Sequence, residues 1–418
     1  MASPVVDGLQ PCGVPLKAPP LKVVIVGAGI GGLSAATALR RSGHDVLIFE
    51  QSRFSNEIGA AIHVGSNASR VLTHLGYDTK RLGGVLCDGF TMYNSSGETL
   101  VDDDYSDIAN SFGSPWYLAH RVDLHNELKL LAVGKEGEGR PCELKLSSKV
   151  VSINSDDGEV TLSNGEVHQA DLIVGADGIH SMVRETVFDP TGTKPTGDAA
   201  YRFIIDAKEI TEDKTTLLYG VADGKCRIVV GSDRRVVVYP CRNNELLNFV
   251  CIHPQEVKGE ESKEWNSSTS VEAMLHTYKG FSQSVINMLS KAKDVKCWQL
   301  LQRQPIDSWV KGRVCLVGDA AHPMLPHQGQ GGGQAIEDSG ALGELFTPVT
   351  TSSQVSNILN LYQQVRYSRA STVTRLSSNA ASSLSKTSPQ AAQAAQQYIF
   401  GHDVVEYARH ARSSEFIV

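Results

Sequence analysis

The sequence has no excess of basic charge. It carries 39 lysine and arginine residues against 46 aspartate and glutamate residues, which gives a formal net charge of −7. A protein that binds DNA or RNA needs clustered positive charge to neutralise the phosphate backbone. The charge balance therefore argues against nucleic acid as a partner.

Paired cysteines are missing as well. The eight cysteines are scattered between Cys12 and Cys315, none forms a Cys-x-x-Cys pair, and no Cys/His cluster has zinc spacing. Such a pattern is typical of reduced thiols in a cytoplasmic protein, not of a disulfide scaffold or a zinc site. We therefore expect a cytoplasmic protein without a bound metal.

Long hydrophobic runs are also absent. Residues 1–21 contain five prolines and no apolar run as long as a secretory signal needs, so they are predicted to form a disordered leader. Residues 23–39 are the one stretch that imitates a membrane span, and four glycines, Ser34 and Thr37 interrupt it. The sequence predicts no transmembrane segment.

Glycine, by contrast, is in surplus. It supplies 38 of the 418 residues, about 9% where roughly 7% is usual. Because glycine weakens helices and strands, a surplus indicates backbone used at turns or against a ligand. The length suggests two or three domains, and 41% hydrophobic with 20% charged residues indicates a globular chain with a sizeable core.

The first glycine cluster occupies residues 27–32, with the sequence GAGIGG, directly after the β-branched strand at residues 23–26. Gly27 permits a tight turn, Gly29 lets the backbone approach a pyrophosphate, and Gly32 allows a helix to pack closely on the strand. Strand, turn and helix in this order predict a dinucleotide-binding βαβ unit.

A carboxylate completes this unit. Glu50 ends the second predicted strand, at residues 45–50, where its side chain can accept hydrogen bonds from ribose hydroxyls. The same carboxylate would repel a 2′-phosphate. The tightly held nucleotide is therefore predicted to be FAD or NAD, not NADP.

Two further strand-and-turn motifs follow. Residues 171–181, DLIVGADGIHS, place Asp177 at the end of a buried strand, where its simplest role is to cap a helix. Residues 312–323 place Asp319 after another buried strand, where it can accept from a polyol hydroxyl. Four glycines among residues 329–333 then precede a predicted helix, and the positive end of that helix would stabilise negative charge.

The three motifs in this order resemble one family, the FAD-dependent aromatic hydroxylases of the salicylate hydroxylase and para-hydroxybenzoate hydroxylase type. The resemblance is closest to fungal salicylate hydroxylase-like monooxygenases. It covers residues 22–346, includes WQLLQR at residues 298–303, and continues weakly at residues 398–403. It implies an α/β chain of two domains in which a Rossmann-type FAD-binding domain is interleaved with an antiparallel substrate sheet.

The implied domains are discontinuous. They are a leader at 1–21; an FAD-binding domain at 22–82, 116–195 and 298–346; a substrate-binding sheet domain at 83–115 and 196–297; and a C-terminal helical region at 347–418.

The resemblance also implies the residues that hold FAD. Gly27, Gly29, Gly32 and Glu50 would bind its ADP half, Arg121 of the segment RVDLH would contact the flavin nucleotide, Asp177 would serve both FAD and NAD(P)H, Asp319 would bind the ribityl chain, and the backbone at Gly331 and Gly332 would face the flavin pyrimidine. Without the resemblance, Arg121 would read as a cation on a helix face.

Four residues are candidates for the catalytic side. Arg202 and Tyr239 are on strands predicted to cover the flavin. Arg202 would stabilise a phenolate and Tyr239 would orient it. Alternatively, Arg202 is a surface cation and Tyr239 only a packing residue of its strand. Pro326 would lie near the reactive edge of the flavin. His63 lies where the family chain passes the flavin, although a lone histidine, like His322, is more often structural.

One departure from the family concerns the residues after His63. Relatives usually continue with prolines before an asparagine, whereas this chain has Gly65-Ser66-Asn67. The shape of the local flavin contact is therefore not given by the resemblance.

The implied reaction is hydroxylation of a phenolic small molecule in fungal secondary metabolism. NADH or NADPH, as a transient co-substrate, would reduce FAD, and reaction with O₂ would give a flavin C4a-hydroperoxide that transfers oxygen. Dearomatisation, decarboxylation, and a monomeric or homodimeric state remain open. The alternatives are epoxidation or hydroxylation of an alkene or prenylated indole in alkaloid or terpenoid biosynthesis, and a flavin-binding protein without catalysis.

Overall fold

A computed structural model describes residues 18–53, 60–79, 81–216, 223–255, 266–383 and 388–415. The predicted leader at residues 1–21 falls largely outside these ranges. Its last residues belong to the fold, because the Ala18 amide donates to the Pro348 carbonyl at 3.1 Å and Leu21 is buried in the core.

The strands of the described residues are β1 Lys22–Val26, β2 Asp45–Phe49, β3 Ala61–Val64, β4 Val85–Leu86, β5 Gly89–Asn94, β6 Thr99–Asp104, β7 Tyr117–His120, β8 Glu143–Lys145, β9 Val150–Asn154, β10 Glu159–Leu162, β11 Val167–Gln169, β12 Leu172–Gly175, β13 Lys194–Asp206, β14 Lys225–Val230, β15 Arg235–Cys241, β16 Leu246–Pro254, β17 Asn266–Ser268, β18 Lys296–Gln302, β19 Val310–Lys311 and β20 Val314–Leu316.

The α-helices are α1 Ile30–Arg41, α2 Ser66–His74, α3 Ile108–Phe112, α4 Arg121–Val133, α5 Met182–Val187, α6 Ala207–Thr211, α7 Val271–Thr277, α8 Gln283–Leu289, α9 Gly331–Leu345, α10 Val355–Ser383, α11 Pro389–Phe400 and α12 Val404–Glu415. Short 3₁₀ turns occupy Gly318–Ala320, Pro326–Gln328 and Ser352–Gln354.

The nucleotide-binding unit is built on a six-stranded sheet in the order β19-β20-β12-β1-β2-β8. All its pairs are parallel except β19 with β20. All residues of β1 after Lys22 are buried, as expected for a strand that is covered on both faces. Helix α1 packs against α9 so closely that a Cβ at Gly343 would lie 3.0 Å from the Ala38 Cβ. This crossing brings the amino ends of two helices to one side of the sheet.

The second unit is an eight-stranded sheet in the order β17-β18-β13-β16-β15-β14-β5-β6, antiparallel except where β14 pairs with β5. Its outer face is covered by α7 and α8 around a core that includes Phe203 and Phe249. Its inner face meets the nucleotide-binding unit, because the Ala61 amide donates to Asn248 Oδ1 at 2.9 Å. The inner face of the large sheet therefore lies against β3.

One predicted boundary differs from the structure. Strand β18 pairs with β13 throughout its length, so residues 298–302 belong to the eight-stranded sheet and not to the nucleotide-binding unit assigned from residue 298. The apolar residues of β18 carry no turn signal, so the sequence does not show where the chain crosses from one unit to the other.

The C-terminal region is helical over α10, α11 and α12, as predicted for residues 347–418 within the part that the structure describes. Helices α10 and α12 both pack on α9. In the described ranges, no helix has the length and apolar character needed to cross a membrane.

Candidate active site

The turn after β1 explains two of its three glycines by protein packing. Gly27 has a φ of +101°, and a Cβ there would lie 2.5 Å from the Ala176 carbonyl oxygen. A Cβ at Gly32 would lie 2.0 Å from the Gly27 carbonyl oxygen. At Gly29, however, an added Cβ would meet nothing within 4 Å. The turn is thus closed on its protein side and open beside Gly29.

The open side faces the amino end of α1. This helix has no side-chain cap and no acidic residue in its first turn. Its unpaired backbone N–H groups and its dipole therefore make a site for an anion such as a pyrophosphate.

Glu50 supports the same turn from β2. Its Oε2 accepts from the Ala28 amide and its Oε1 from the Ser52 amide, both at 2.8 Å. Each carboxylate oxygen can accept a further hydrogen bond, as binding a ribose diol requires. His125 of α4, which the sequence reasoning did not single out, donates from Nε2 to the Ala28 carbonyl at 2.7 Å and so also supports the turn.

Asp177 makes local contacts. Ser181 donates to its Oδ1 at 2.5 Å and the Val183 amide to its Oδ2 at 3.0 Å, and Ser181 itself caps α5. Burial raises the pKa of Asp177, and these hydrogen bonds partly offset that effect. These contacts place Asp177 at the start of α5, whereas its contact with a nucleotide remains a prediction.

Asp319 lies in the Gly318–Ala320 turn that follows β20. Its side chain is accessible to solvent although protein surrounds it, a combination typical of a group that lines a cavity. This protein environment raises the pKa of Asp319 by desolvation, and the positive charges of His322 and Arg121 oppose the increase. Arg121 is thus close enough to act on the carboxylate, as a shared flavin site requires.

The glycine-rich amino end of α9 borders the same cavity. A Cβ at Gly331 would lie 3.9 Å from Asp319 Oδ1, whereas one at Gly332 would lie 2.5 Å from Ile62 Cδ1. Gly332 is therefore required by packing against β3, and Gly331 leaves room beside Asp319. The first turn of α9 carries neither an acidic residue nor a side-chain cap.

The acidic pair that follows this turn is neutralised. Arg366 of α10 donates to Glu337 Oε2 at 2.6 Å and to Asp338 Oδ1 at 2.7 Å, and Arg369 bonds both oxygens of Glu337 at 2.8 Å. Burial alone would raise the pKa of Glu337, but the two arginines outweigh it and hold that pKa well below its usual range. The positive end of α9 is therefore not cancelled by its own carboxylates.

His322 belongs to this buried network. Its Nε2 lies 2.7 Å from Asp338 Oδ2, an oxygen that also accepts from the Gly318 amide at 2.8 Å. The structural reading of His322 fits these contacts, because the histidine and Asp338 together fix the turn that carries Asp319.

Arg202 and Tyr239 share the inner face of the large sheet. The register sets Arg202 opposite Val250, which in turn lies opposite Val237 on the next strand, and Tyr239 lies two residues after Val237. Residues directly opposite one another, and residues two apart on a strand, point to the same face. Asn248, opposite Tyr239, accepts from the Ala61 amide, so this face is turned toward β3.

Arg202 is a partly buried cation that contacts no carboxylate among the described residues. Its Nε has no hydrogen-bond partner in the described part of the chain, and its guanidinium carbon lies 5.8 Å from the Trp298 ring centroid. Burial lowers the pKa of Arg202; Tyr239 raises it and Arg121 lowers it further, and no carboxylate is among the groups that act on it. A guanidinium in this state is suited to an anionic ligand.

His63 lies beside Tyr239, with ring centroids 4.4 Å apart. Burial lowers the pKa of His63 to about 4, and its Nδ1 has no hydrogen-bond partner among the described residues. Burial also raises the pKa of Tyr239. Near neutral pH the pair is therefore a neutral imidazole beside a protonated phenol, which can pass or hold a proton.

Pro326 begins a 3₁₀ turn between the two units. Leu325 before it packs against Ala200, Ile252 and Leu300 of the large sheet, and Ser377 of α10 donates to the Leu325 carbonyl at 2.6 Å. The loop is thus held against the inner face that carries Arg202. The position of Pro326 relative to a flavin remains a prediction.

These features fit FAD. A backbone turn with free space at Gly29, a carboxylate on β2, a cavity-lining Asp319 with Arg121 nearby, and the uncapped amino end of α9 provide a site for each section of the cofactor in turn. In the described residues, no group of three or more histidine, cysteine or acidic side chains could hold a metal ion.

Comparisons with known proteins agree with this geometry. The family model of the FAD binding domain matches residues 20–377. The FAD-dependent monooxygenase cfoG of Aspergillus candidus is 39% identical over 370 residues, which cover 86% of this chain and 85% of the relative. Hispidin-3-hydroxylase of Neonothopanus nambi is 36% identical over 365 residues, covering 84% and 86% respectively. A solved salicylate hydroxylase substrate complex has a TM-score of 0.76 at 26% identity, with 94% of this chain and 98% of that one covered.

Fold, site and relatives define an FAD-dependent monooxygenase. The chain belongs to the family described as the FAD binding domain. The predicted resemblance to the aromatic hydroxylases and the predicted α/β fold of two units are both confirmed.

Replacing Gly29 with alanine tests the open side of the turn. We expect FAD affinity to fall at least roughly tenfold, which is about 1.4 kcal/mol, because the methyl group enters the space at the end of α1. The apoprotein should keep its melting temperature, since no atom lies within 4 Å of the new Cβ and the φ of −73° suits alanine. Fluorescence titration of apoprotein with FAD measures the affinity.

Gly32→Ala is the matched contrast. Its Cβ would lie 2.0 Å from a backbone oxygen, so this variant should lose both stability and FAD. Wild-type FAD affinity in Gly29→Ala would show that the pyrophosphate does not lie beside Gly29.

Proposed function

We propose that this monooxygenase uses NAD(P)H and O₂ to hydroxylate a phenolic small molecule whose phenolate is held by Arg202. One observation supports this most strongly. Arg202 is partly buried on the inner face of the large sheet, its Nε is buried without a hydrogen-bond partner, and no carboxylate of the described residues acts on it, whereas the positive charge of Arg121 does. A buried, unpaired guanidinium is costly unless a ligand supplies the negative charge. The relatives named as hydroxylases of hispidin and salicylate support the same reaction type.

Each residue proposed to line the site has its own role in the reaction. FAD, when bound, supplies the redox and oxygen-activating chemistry. Arg202 stabilises the deprotonated oxygen of the substrate, and Tyr239 donates a hydrogen bond that orients it. His63, neutral because burial lowers its pKa to about 4, offers one acceptor nitrogen for the phenolic proton. The amino end of α9 stabilises negative charge on the flavin pyrimidine.

Reduction by NAD(P)H is part of the proposal. The chain has one dinucleotide-binding βαβ turn, so the nicotinamide nucleotide would bind only transiently, with Asp177 and Gly178 serving its passage. The seven described cysteines are free thiols, which supports a reducing compartment such as the cytoplasm. The relatives from Aspergillus candidus and Neonothopanus nambi support a role in fungal secondary metabolism.

A substrate panel on the purified holoenzyme tests the reaction. We expect phenols to accelerate NADH or NADPH oxidation and to give products heavier by one oxygen atom, as mass spectrometry would show. Acceleration by alkenes or prenylated indoles alone would overturn phenol hydroxylation. A yellow protein that no substrate stimulates would overturn the catalytic reading and leave a flavin-binding protein.

A further inference from the structure

A row of aromatic rings leads away from the candidate catalytic pair. The His63 ring, next to Tyr239, lies 5.5 Å from the Trp116 ring, and Trp116 lies 5.0 Å from Phe400. Phe112 meets Phe400 edge-on at 5.7 Å. Trp116 and Phe400 are named the aromatic wall below. The wall is the end of a row of contacting rings that begins at Tyr239.

Phe400 comes from the C-terminal end of α11, and two arginines fix it there. Arg70 of α2 donates to the His402 carbonyl at 2.7 Å and also bonds the Phe112 carbonyl. Arg369 donates to the Tyr398 carbonyl at 2.7 Å and to the Ile399 carbonyl at 2.8 Å. The same Arg369 holds Glu337 of α9. The ring is therefore positioned relative to the flavin-facing helix rather than left to a loose terminus.

Gly65 leaves the space that the Phe400 ring occupies. A Cβ at Gly65 would lie 2.7 Å from Phe400 Cε1 and 3.2 Å from Gln330 Nε2. Gln330 immediately precedes α9, so the ring edge lies beside the amino end of the flavin-facing helix. Because Gly65 has no side chain, the Phe400 ring can pack directly against the backbone there.

Trp116 adds an unused polar atom. Its Nε1 is buried and has no hydrogen-bond partner within the described ranges. An indole N–H is a donor only, and a buried one normally finds an acceptor. The wall therefore presents an apolar ring from Phe400 and a donor from Trp116.

We propose that the aromatic wall closes the far end of the substrate cavity and that Phe400 sets the length of phenol the enzyme accepts. This inference rests on the proposed phenol hydroxylation, whose substrate class it narrows. Gly65 is the partner residue that lets Phe400 take this place. A smaller side chain at position 400 would lengthen the cavity, and a Cβ at position 65 would push the ring inward and shorten it.

The test compares two phenols on the holoenzyme. Phenol and 4-phenylphenol are titrated into oxidised protein, and the change in flavin absorbance gives a dissociation constant for each. Phe400→Leu is expected to shift the affinity ratio about tenfold toward 4-phenylphenol, because one or two carbons in an apolar pocket are worth at least that factor. Gly65→Ala is expected to shift the ratio the opposite way, and Phe400→Leu in the same chain should restore it.

Phe203→Leu is the matched control. Phe203 is a buried phenylalanine on the outer face of the large sheet, so this variant shares the packing loss and should leave the ratio unchanged. If both Phe400→Leu and Gly65→Ala bind the two phenols in the wild-type ratio, the wall does not close the cavity. If phenols neither perturb the wild-type flavin nor stimulate its turnover, the proposed function fails first, which separates the two failures.

Discussion

Arg202→Ala is expected to lower the hydroxylation rate by at least about 100-fold, the usual loss when one preorganised charged donor is removed from a reacting oxygen. The reason is that Arg202 has a buried, unbonded Nε and no carboxylate partner among the described residues on the inner face of the large sheet. Its positive charge is then available to the phenolate and strengthened by the low local dielectric. Product formation by the holoenzyme at saturating phenol measures the rate.

A second measurement separates this role from a merely structural one. The pH at which the bound phenol ionises, read from its absorbance, should be lower in the wild type than in Arg202→Ala, because the guanidinium favours the anion. Arg202→Lys should recover part of this difference, since it restores charge without the planar fork.

Arg227→Ala is a suitable control. Arg227 is also buried on the large sheet, but it lies opposite Val238 on the outer face and pairs with Asp223. Its removal should leave both the rate and the bound phenol pKa unchanged. Wild-type turnover by Arg202→Ala would refute the activation role.

The nucleotide-binding turn could be predicted because its requirements are local. Gly27 needs a positive φ and Gly32 must admit the Gly27 carbonyl, and only glycine meets both demands. Glu50 follows from the length of the second strand in the same βαβ unit. Residue type and short spacing are therefore enough to predict this turn, and the structure places these residues together.

Other parts of the site depend on contacts that no local pattern encodes. Arg366 reaches Glu337 across 29 positions of sequence, and Phe400 fills the space at Gly65 from the far end of the chain. The Asn248 contact with Ala61 is equally remote. His125 is the exception: it lies within the RVDLH segment that was singled out for Arg121, and its one-turn spacing on α4 could have revealed it.

The buried ion network makes the second large prediction. Arg366→Met is expected to reduce the free energy of unfolding at pH 7 by about 3–5 kcal/mol, because it removes the arginine that bonds both buried carboxylates and leaves Glu337 with Arg369 and Asp338 with His322. Both carboxylates and Arg366 are fully buried. Urea unfolding of wild type and variant, each with excess FAD, measures the loss. Because α9 carries Gly331 at its amino end, weaker FAD retention should accompany it.

The loss should shrink as the pH falls. In the wild type the arginines hold the pKa of Glu337 well below its usual range, so its stabilising contribution is complete above the unfolded carboxylate pKa of about 4.3 and disappears at lower pH. In Arg366→Met only Arg369 still opposes the effect of burial, so the pKa of Glu337 rises relative to the wild type and its protonation costs the variant less stability. The stability difference should therefore narrow between pH 7 and about pH 5.

An exposed ion pair provides the control. Arg409 is 51% exposed and pairs with Glu344 at 3.2 Å, so Arg409→Met should change stability by no more than about 0.5 kcal/mol. Adding Asp338→Asn to Arg366→Met should recover part of the loss, because it removes the carboxylate whose Oδ1 is bonded by Arg366. A loss below about 1 kcal/mol for Arg366→Met, or one that does not vary with pH, would show that the network is not what binds α10 to α9.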